Sequence, residues 1–166
     1  MKALYRGFFC LLALLLACVP FGAGLAETYI SGYPSGFFME YDPDCFEVED
    51  DFMESLHVRF TYTGDADYPI YMDIQCIEGD RLEVGLELSA RFETEEHDTL
   101  IGRNYYEAMT FYVPDETGET PENSLYFVVP FSNGAFLIDW HGYLGQPAVA
   151  NEQMSALMDS FELGGD

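Results

Sequence analysis

Alternating apolar and polar positions in the middle of the chain predict β-strands. In segment 56–63 every second residue from Val58 to Tyr62 is apolar, and the residues between them are polar. Segment 69–76 repeats this pattern, with apolar side chains at every second position from Ile70 to Cys76. A period of two places these side chains on one face of a sheet. The turn residues between the two segments therefore predict an antiparallel meander with one exposed face.

Other strands are predicted on both sides of this meander. Segments 37–41 and 45–49 are short and strand-like, whereas segments 105–113 and 125–131 are apolar at both odd and even positions. A strand that is apolar on both faces lies centrally in a sheet, under two covering layers. The dipeptide Asn133-Gly134 then predicts a hairpin turn into a final long strand over 135–143.

Two helices are predicted to supply the covering layers. Segment 151–161 has apolar residues at helical spacing, and Asn151 is placed to cap it. Segment 80–92 alternates like a strand, but its leucine, glutamate, alanine and arginine content favours a helix. We interpret it as a helix that covers the second sheet face. The predicted fold class is α/β of the α+β type, with a mainly antiparallel sheet flanked by helices.

The first 26 residues have the composition of a secretory signal peptide. Lys2 and Arg6 precede an apolar run over 8–17, and a small-residue stretch ends at Ala26. The apolar run is shorter than the roughly 20 residues that span a bilayer. We therefore expect cleavage after Ala26, a single acidic domain over 27–166, and secretion out of the cytoplasm without membrane insertion of that domain.

An alternative processing route depends on Cys18. The tetrapeptide ending at Cys18 reads Leu-Leu-Ala-Cys, which loosely resembles a bacterial lipobox. In that route Cys18 becomes the lipidated N-terminus and anchors the protein at the cell surface. Both routes place the domain outside the cytoplasm.

The charge of the chain after Ala26 excludes two classes of partner. This region contains no lysine. It has four arginines and 30 aspartates and glutamates, which gives a formal charge of −26. Nucleic acids and anionic membranes are bound by lysine and arginine, so both are expected to be repelled. Cations, cationic peptides and basic protein surfaces stay open as partners, and the charge also favours solubility.

The order of elements resembles that of the PsbP-like superfamily. Residues Gly36-Phe37-Phe38-Met39-Glu40-Tyr41-Asp42-Pro43 look like its first strand. The hairpin at Asn133-Gly134 and the closing Asp159-Ser160-Phe161 look like its C-terminal half, so the resemblance covers 31–163. It implies an exported α/β/α sandwich that acts as an accessory or binding protein, with no shared catalytic residues to transfer.

Two cysteines follow the predicted signal. In an oxidising compartment Cys45 and Cys76 are candidates for a disulfide, which would stabilise the fold by roughly 3–4 kcal/mol. The alternative is two unlinked thiols, because Cys76 lies on an apolar face whereas Cys45 shares a face with Glu47 and Glu49.

Carboxylates are concentrated in two segments, each of which we consider as a cation site. The densest cluster comprises Asp42, Asp44, Glu47, Glu49, Asp50 and Asp51. Calcium prefers six to eight oxygen ligands, so this cluster is a candidate calcium site, with solvated strand ends and turns as the alternative. The mixed segment 93–98, which includes His97, lacks the ligand spacing of a zinc site and is interpreted as a charged loop.

Two groups of side chains are candidates for ligand binding or catalysis. Asp139 and His141 lie two apart on one predicted strand and share a face, with Trp140 on the other. No G-x-S-x-G nucleophile motif accompanies them. Tyrosines that could form an aromatic contact surface, as opposed to core or cross-strand pairs, are Tyr29, Tyr33, Tyr105, Tyr106 and Tyr143.

The sequence therefore favours a secreted, non-catalytic accessory or binding domain with no cofactor and with a protein or glycan partner. The alternative is an extracytoplasmic hydrolase that uses Asp139 and His141, or a cation-dependent enzyme that uses the acidic cluster between Asp42 and Asp51.

Overall fold

A computed structural model describes residues 26–31, 36–77, 79, 81–92, 97–114, 121–132 and 134–164. Within this part the chain forms ten strands and three helices. In chain order they are β1 (Glu27–Ile30), β2 (Phe37–Tyr41), β3 (Phe46–Asp50), α1 (Phe52–Ser55), β4 (His57–Tyr62), β5 (Tyr71–Ile77), α2 (Arg81–Phe92), β6 (His97–Ile101), β7 (Tyr106–Pro114), β8 (Glu122–Phe131), β9 (Gly134–Tyr143), α3 (Ala148–Ser160) and β10 (Glu162–Leu163).

The strands form two antiparallel sheets. The larger sheet has the order β3-β4-β5-β9-β8-β7-β6, and the smaller has the order β1-β2-β10. Every pairing recorded in both sheets is antiparallel. The chain therefore has the α+β fold, mainly antiparallel and flanked by helices, that its sequence predicts.

The larger sheet is covered on both faces, which explains why its central strands are apolar on both sides. One face packs against the smaller sheet and α3 in a core that includes Phe60, Ile138 and Met154. The opposite face packs against α2, where Val84 and Leu88 join residues of β7, β8 and β9. The structure thus confirms segment 80–92 as a helix that covers the second face.

Helix α3 begins earlier than predicted. Its first residue is Ala148, directly after Pro147, and Asn151 lies inside the first turn instead of capping it. The cause is the sequence Ala-Val-Ala over 148–150, which extends the helix upstream because alanine has the highest helix propensity. The Asn151 side chain is therefore available for other contacts.

The interpretation of segment 93–98 as a loop is wrong at its C-terminal end. His97 and Asp98 belong to β6, where they pair with Thr110 and Met109 of β7. Because β6 is at the edge of the larger sheet, its charged residues can point into solvent while its backbone pairs on one side only.

The Cys45–Cys76 disulfide does not form in this structure, and both cysteines are free thiols. Cys45 O accepts a hydrogen bond from Thr63 N, and Cys76 N donates one to Leu56 O, each at 2.9 Å. Thr63 and Leu56 flank opposite ends of β4, so the cysteines are roughly 20 Å apart. A disulfide needs Cα atoms within about 7 Å.

Several features predicted from the sequence lie outside the described residues. These are nearly all of the signal peptide with Cys18, as well as Tyr33, residues 93–96 and Asn133. None of the helices in the described part of the chain has the length and apolar character needed to cross a bilayer.

Phe37 is the side chain whose truncation we expect to destabilise the fold most clearly. It is fully buried, and its ring lies 5.4–5.7 Å from the rings of Phe52, Phe136 and Phe161. We expect Phe37→Ala to lower the free energy of unfolding by about 3–5 kcal/mol in urea denaturation. The control is Phe38→Ala, at a partly exposed position of the same strand, which should cost clearly less. Equal losses would contradict the assigned register of β2.

Candidate functional site

A cleft of about 430 Å³ opens at one end of the larger sheet. Its floor belongs to β7, β8 and β9, and its wall is the loop between β9 and α3 together with the first turn of α3. We call it the aromatic cleft, and its lining residues are Tyr112, Asn123, Leu125, Trp140, Gly142, Tyr143, Leu144, Gly145, Gln146 and Asn151.

The pairing of β7, β8 and β9 determines which side chains lie together on the floor of the aromatic cleft. Trp140 of β9 is the cross-strand partner of Leu125 in β8, and Leu125 is the partner of Tyr112 in β7. Side chains directly opposite each other on neighbouring strands are in contact distance. The three residues therefore form a continuous apolar row, and Tyr112 at its end is 51% exposed.

The wall of the aromatic cleft is fixed by hydrogen bonds of Gln146. Its Oε1 accepts from Tyr143 N at 3.0 Å, and its Nε2 donates to Asn151 Oδ1 at 2.5 Å. A Cβ at position 142 would overlap Gln146 Oε1, so this packing requires Gly142. Gly145, with φ +90°, allows the chain to turn towards α3. These contacts and the two glycines therefore fix the conformation of the wall.

Two polar groups in the aromatic cleft have no hydrogen-bond partner in the described part of the chain, namely the carboxamide of Asn123 and the indole N–H of Trp140. The described lining residues also include no aspartate, glutamate, lysine, arginine or histidine. In a chain with 30 carboxylates this described lining is uncharged, and its polar chemistry is that of neutral donors and acceptors.

The opposite face of the same strands carries charged residues, which we call the polar face. These residues are His57, Arg59, Tyr71, Asp73, Glu122, Ser124, Tyr126, Asp139 and His141. Arg59, Asp73, Asp139 and Tyr126 are successive cross-strand neighbours on β4, β5, β9 and β8. The sheet thereby brings together residues far apart in sequence.

The Asp73 carboxylate contacts the guanidinium of Arg59 and the imidazole of His57. Arg59 donates from Nε and Nη2 to the two Asp73 carboxylate oxygens at 2.6 and 2.5 Å, and its guanidinium lies 4.1 Å from the centre of the Tyr71 ring. His57 Nε2 lies 3.1 Å from Asp73 Oδ1. A bidentate pair of this kind fixes both side chains and satisfies the carboxylate.

Asp139 lies directly opposite Asp73 but has no such partner. Burial raises the pKa of the Asp139 carboxyl, and the negative charge of Asp73 raises it further, whereas a hydrogen bond from Ser124 and the nearby His141 act in the opposite direction. Asp139 Oδ1 is buried and has no hydrogen-bond partner in the described ranges of the chain. The ionised form of Asp139 is therefore disfavoured in the folded protein.

His141 lies between a hydroxyl and a carboxylate. Its Nδ1 is 3.2 Å from Ser124 Oγ, and its Nε2 is 3.6 Å from Glu122 Oε1. The Tyr71 ring stacks on the imidazole with centroids 4.5 Å apart. Burial raises the pKa of Tyr71 to about 12, with a further contribution from Asp139. Asp139 and His141 thus share one face as the sequence predicts, while their cross-strand partners were not identifiable from sequence spacing.

The tyrosines proposed as one contact surface are spread over the molecule. Tyr105, which is 74% exposed, lies in the turn before β7, and the Tyr106 hydroxyl accepts a hydrogen bond from Leu163 N at 3.1 Å. Tyr143 lies at the far end of β9, roughly 30 Å away along the strands. Tyr29 is buried in the core. Of the described members of this group, Tyr143 alone lines the aromatic cleft.

The acidic cluster between 42 and 51 is divided among a turn, β3 and the start of α1. Asp42 Oδ1 accepts from Asp44 N at 2.9 Å, and Asp50 Oδ1 accepts from Phe52 N at 2.8 Å. Asp51 Oδ1 lies 3.7 Å from His57 Nδ1. Glu47 and Glu49 are exposed on β3. In the described residues no group of three or more metal-ligating side chains is arranged around one point. A calcium site here stays a prediction.

Comparisons with known proteins address the fold alone. No protein-family model matches the chain, and no curated protein is significantly similar. A crystal structure from Bacteroides thetaiotaomicron VPI-5482, solved at 1.50 Å, is similar with a TM-score of 0.54 and 16% identity. The match covers 78% of this chain and 46% of that one, so this chain spans less than half of that protein.

The two opposed carboxylates of the polar face should respond differently to neutralisation. Burial disfavours ionised Asp139, so the wild type should lose stability as pH rises from about 4, the unfolded-state pKa, through the raised folded pKa. We expect Asp139→Asn to be more stable than wild type at pH 7, with a difference that vanishes below about pH 4. Urea denaturation across pH 3–8 measures this.

The control is Asp73→Asn, which changes the cross-strand partner of Asp139 on β5. This change removes the partner of Arg59 and should cost about 1.5–3 kcal/mol at pH 7. If Asp139→Asn destabilised the protein to a similar extent, the described environment of Asp139 would be incorrect.

Proposed function

We propose that this chain is an exported, non-catalytic binding domain and that the aromatic cleft is its ligand site. The observation that carries the proposal is a cleft in a strongly acidic chain whose described lining is uncharged and holds Asn123 and Trp140 donors without a partner among the described residues. Ligand sites are typically concave, mostly apolar and supplied with a few polar groups, and have volumes of about 300–1,000 Å³. The aromatic cleft fits each of these criteria.

Export and membership of the PsbP-like superfamily are parts of the same proposal. The composition of residues 1–26 supports export, and the antiparallel sheet flanked by helices agrees with a PsbP-like sandwich. Such domains act mainly as accessory or binding proteins, which is the function the cleft favours.

Trp140 gives this proposal a direct test, because it is the single tryptophan of the chain and lines the cleft. We expect at least one class among neutral oligosaccharides, acidic oligosaccharides and short uncharged peptides to change its fluorescence saturably. Tyr112→Ala, at the cleft rim, should weaken the response. If no class changed the emission, or if Tyr112→Ala had no effect on any response, the aromatic cleft would not be the ligand site.

A hydrolase is the second candidate, since Ser124, His141 and Glu122 form a hydroxyl–imidazole–carboxylate chain. Three features make it the weaker candidate. Ser124 is 8% exposed, and the Tyr71 ring covers one face of His141. In addition, β8 and β9 pair with strands on both sides at these positions, so their backbone N–H groups are used in the sheet instead of forming an oxyanion hole.

We therefore expect Ser124→Ala to leave ester hydrolysis unchanged. The measurement compares the rate of p-nitrophenyl acetate hydrolysis by wild type, Ser124→Ala and His141→Gln at pH 7–8. A rate that fell by a hundredfold or more in both variants would favour the hydrolase, because that is the usual scale of a lost acid–base or nucleophilic group.

A further inference from the structure

We infer that the ligand of the aromatic cleft is a neutral carbohydrate chain. This inference rests on the proposed function and names the chemical class that the cleft recognises. Three properties of the described residues support it: the charge of the lining and its surroundings, the types of side chain in the cleft, and the pairing of the strands beneath it.

Charge selects against ionic ligands. Among the described lining residues none is ionisable except tyrosine, so they supply no counter-charge for a carboxylate, phosphate or ammonium group. The chain as a whole has a formal charge of −24 and would repel acidic polymers. Ion pairs with a cationic ligand would need carboxylates, and none belongs to the described lining. A neutral ligand needs no counter-charge from the cleft.

The side chains in the cleft match the two surfaces of a sugar ring. A pyranose has an apolar face of C–H groups, which stacks on aromatic rings such as those of Trp140 and Tyr112. It also has hydroxyl groups that both donate and accept hydrogen bonds at its edge. The carboxamide of Asn123 offers donors and an acceptor in one plane, as this edge requires, and the Trp140 indole adds a donor.

Strand pairing disfavours a peptide in extended conformation. Peptides commonly bind as an added strand at a free sheet edge. At Leu125 and Trp140 of the cleft floor, β8 and β9 are paired on both sides, so no added strand can pair with the backbone there. The recorded pairing of β6 with β7 ends at Thr110, before Tyr112. Over β8 and β9, recognition must therefore come from side chains.

The geometry also suggests a chain of sugars in preference to a free monosaccharide. The cleft has a volume of about 430 Å³, and its floor runs across three strands, which are about 4.8 Å apart. The row from Trp140 through Leu125 to Tyr112 ends at an exposed ring, so a linear ligand can extend beyond the cleft.

The test uses cellohexaose, maltohexaose, mannohexaose and xylohexaose as neutral probes, with oligogalacturonate as the acidic probe and hexaalanine as the peptide. Isothermal titration and Trp140 fluorescence are measured on the protein beginning at Glu27. We expect at least one neutral hexasaccharide to bind saturably, with an affinity that changes less than twofold between 50 and 500 mM salt. Asn123→Ala should weaken binding about tenfold, the scale of one hydrogen bond.

The matched control is Gln75→Ala, which removes a carboxamide from the exposed opposite face of the sheet. It should leave sugar affinity unchanged. If hexaalanine or oligogalacturonate bound at Trp140 and no neutral sugar did, the carbohydrate inference would fail while the binding function stood. If none of the probes bound, or if Asn123→Ala and Gln75→Ala had equal effects, the aromatic cleft would be rejected as a sugar site.

Discussion

The structure depends on the burial of β7, β8 and β9 on both faces. Apolar residues alternate between two separate cores on these strands, so a layer must cover each side of the sheet. The smaller sheet and α3 form one layer, and α2 forms the other. The two candidate surfaces lie where these layers end. On one face the aromatic cleft opens beside the start of α3, and on the other the polar face extends beyond the residues covered by α2.

Strand β9 shows how one segment can contribute to both surfaces. Trp140 points to the cleft, while Asp139 and His141 on either side of it point to the polar face. The polar face consists of partners that satisfy each other: Arg59 with Asp73, and His141 between Ser124 and Glu122. Groups that bond to each other are less available to a ligand. In the cleft, by contrast, Asn123 and Trp140 have no such partners among the residues that the structure describes, which is why we propose the cleft as the binding site.

Local pattern was sufficient to predict most of the fold. Period-two alternation identified β4 and β5, and composition identified α2 correctly although its alternation resembles a strand. Short elements were missed, since β1 and β10 are too brief to show a period and β6 is an edge strand with charged residues at its start. The position of Cys45 relative to Cys76 was also not readable from the sequence, because it depends on the direction and length of β4.

The candidate site was less predictable than the fold because it depends on register. Asp139 and His141 share a face by spacing alone, but Ser124, Glu122 and Asp73 join them only through pairing with β8 and β5. The row of Trp140, Leu125 and Tyr112 likewise combines three strands. Its wall depends on Gln146, whose contacts with Tyr143 and Asn151 follow from the conformation of a loop. Of the cleft residues, the sequence marks Tyr143 alone as a candidate contact residue.

The most direct test of the central claim is the location of ligand contacts by nuclear magnetic resonance. A ¹⁵N-labelled sample has a single indole N–H resonance, from Trp140. On titration with a neutral hexasaccharide, we expect this resonance and the Asn123 side-chain amide to shift first, with the Gln75 amide unchanged. Shifts centred on Gln75 and the backbone amides of Tyr71, Asp73 and His141, with the indole unmoved, would place binding on the polar face and contradict the account.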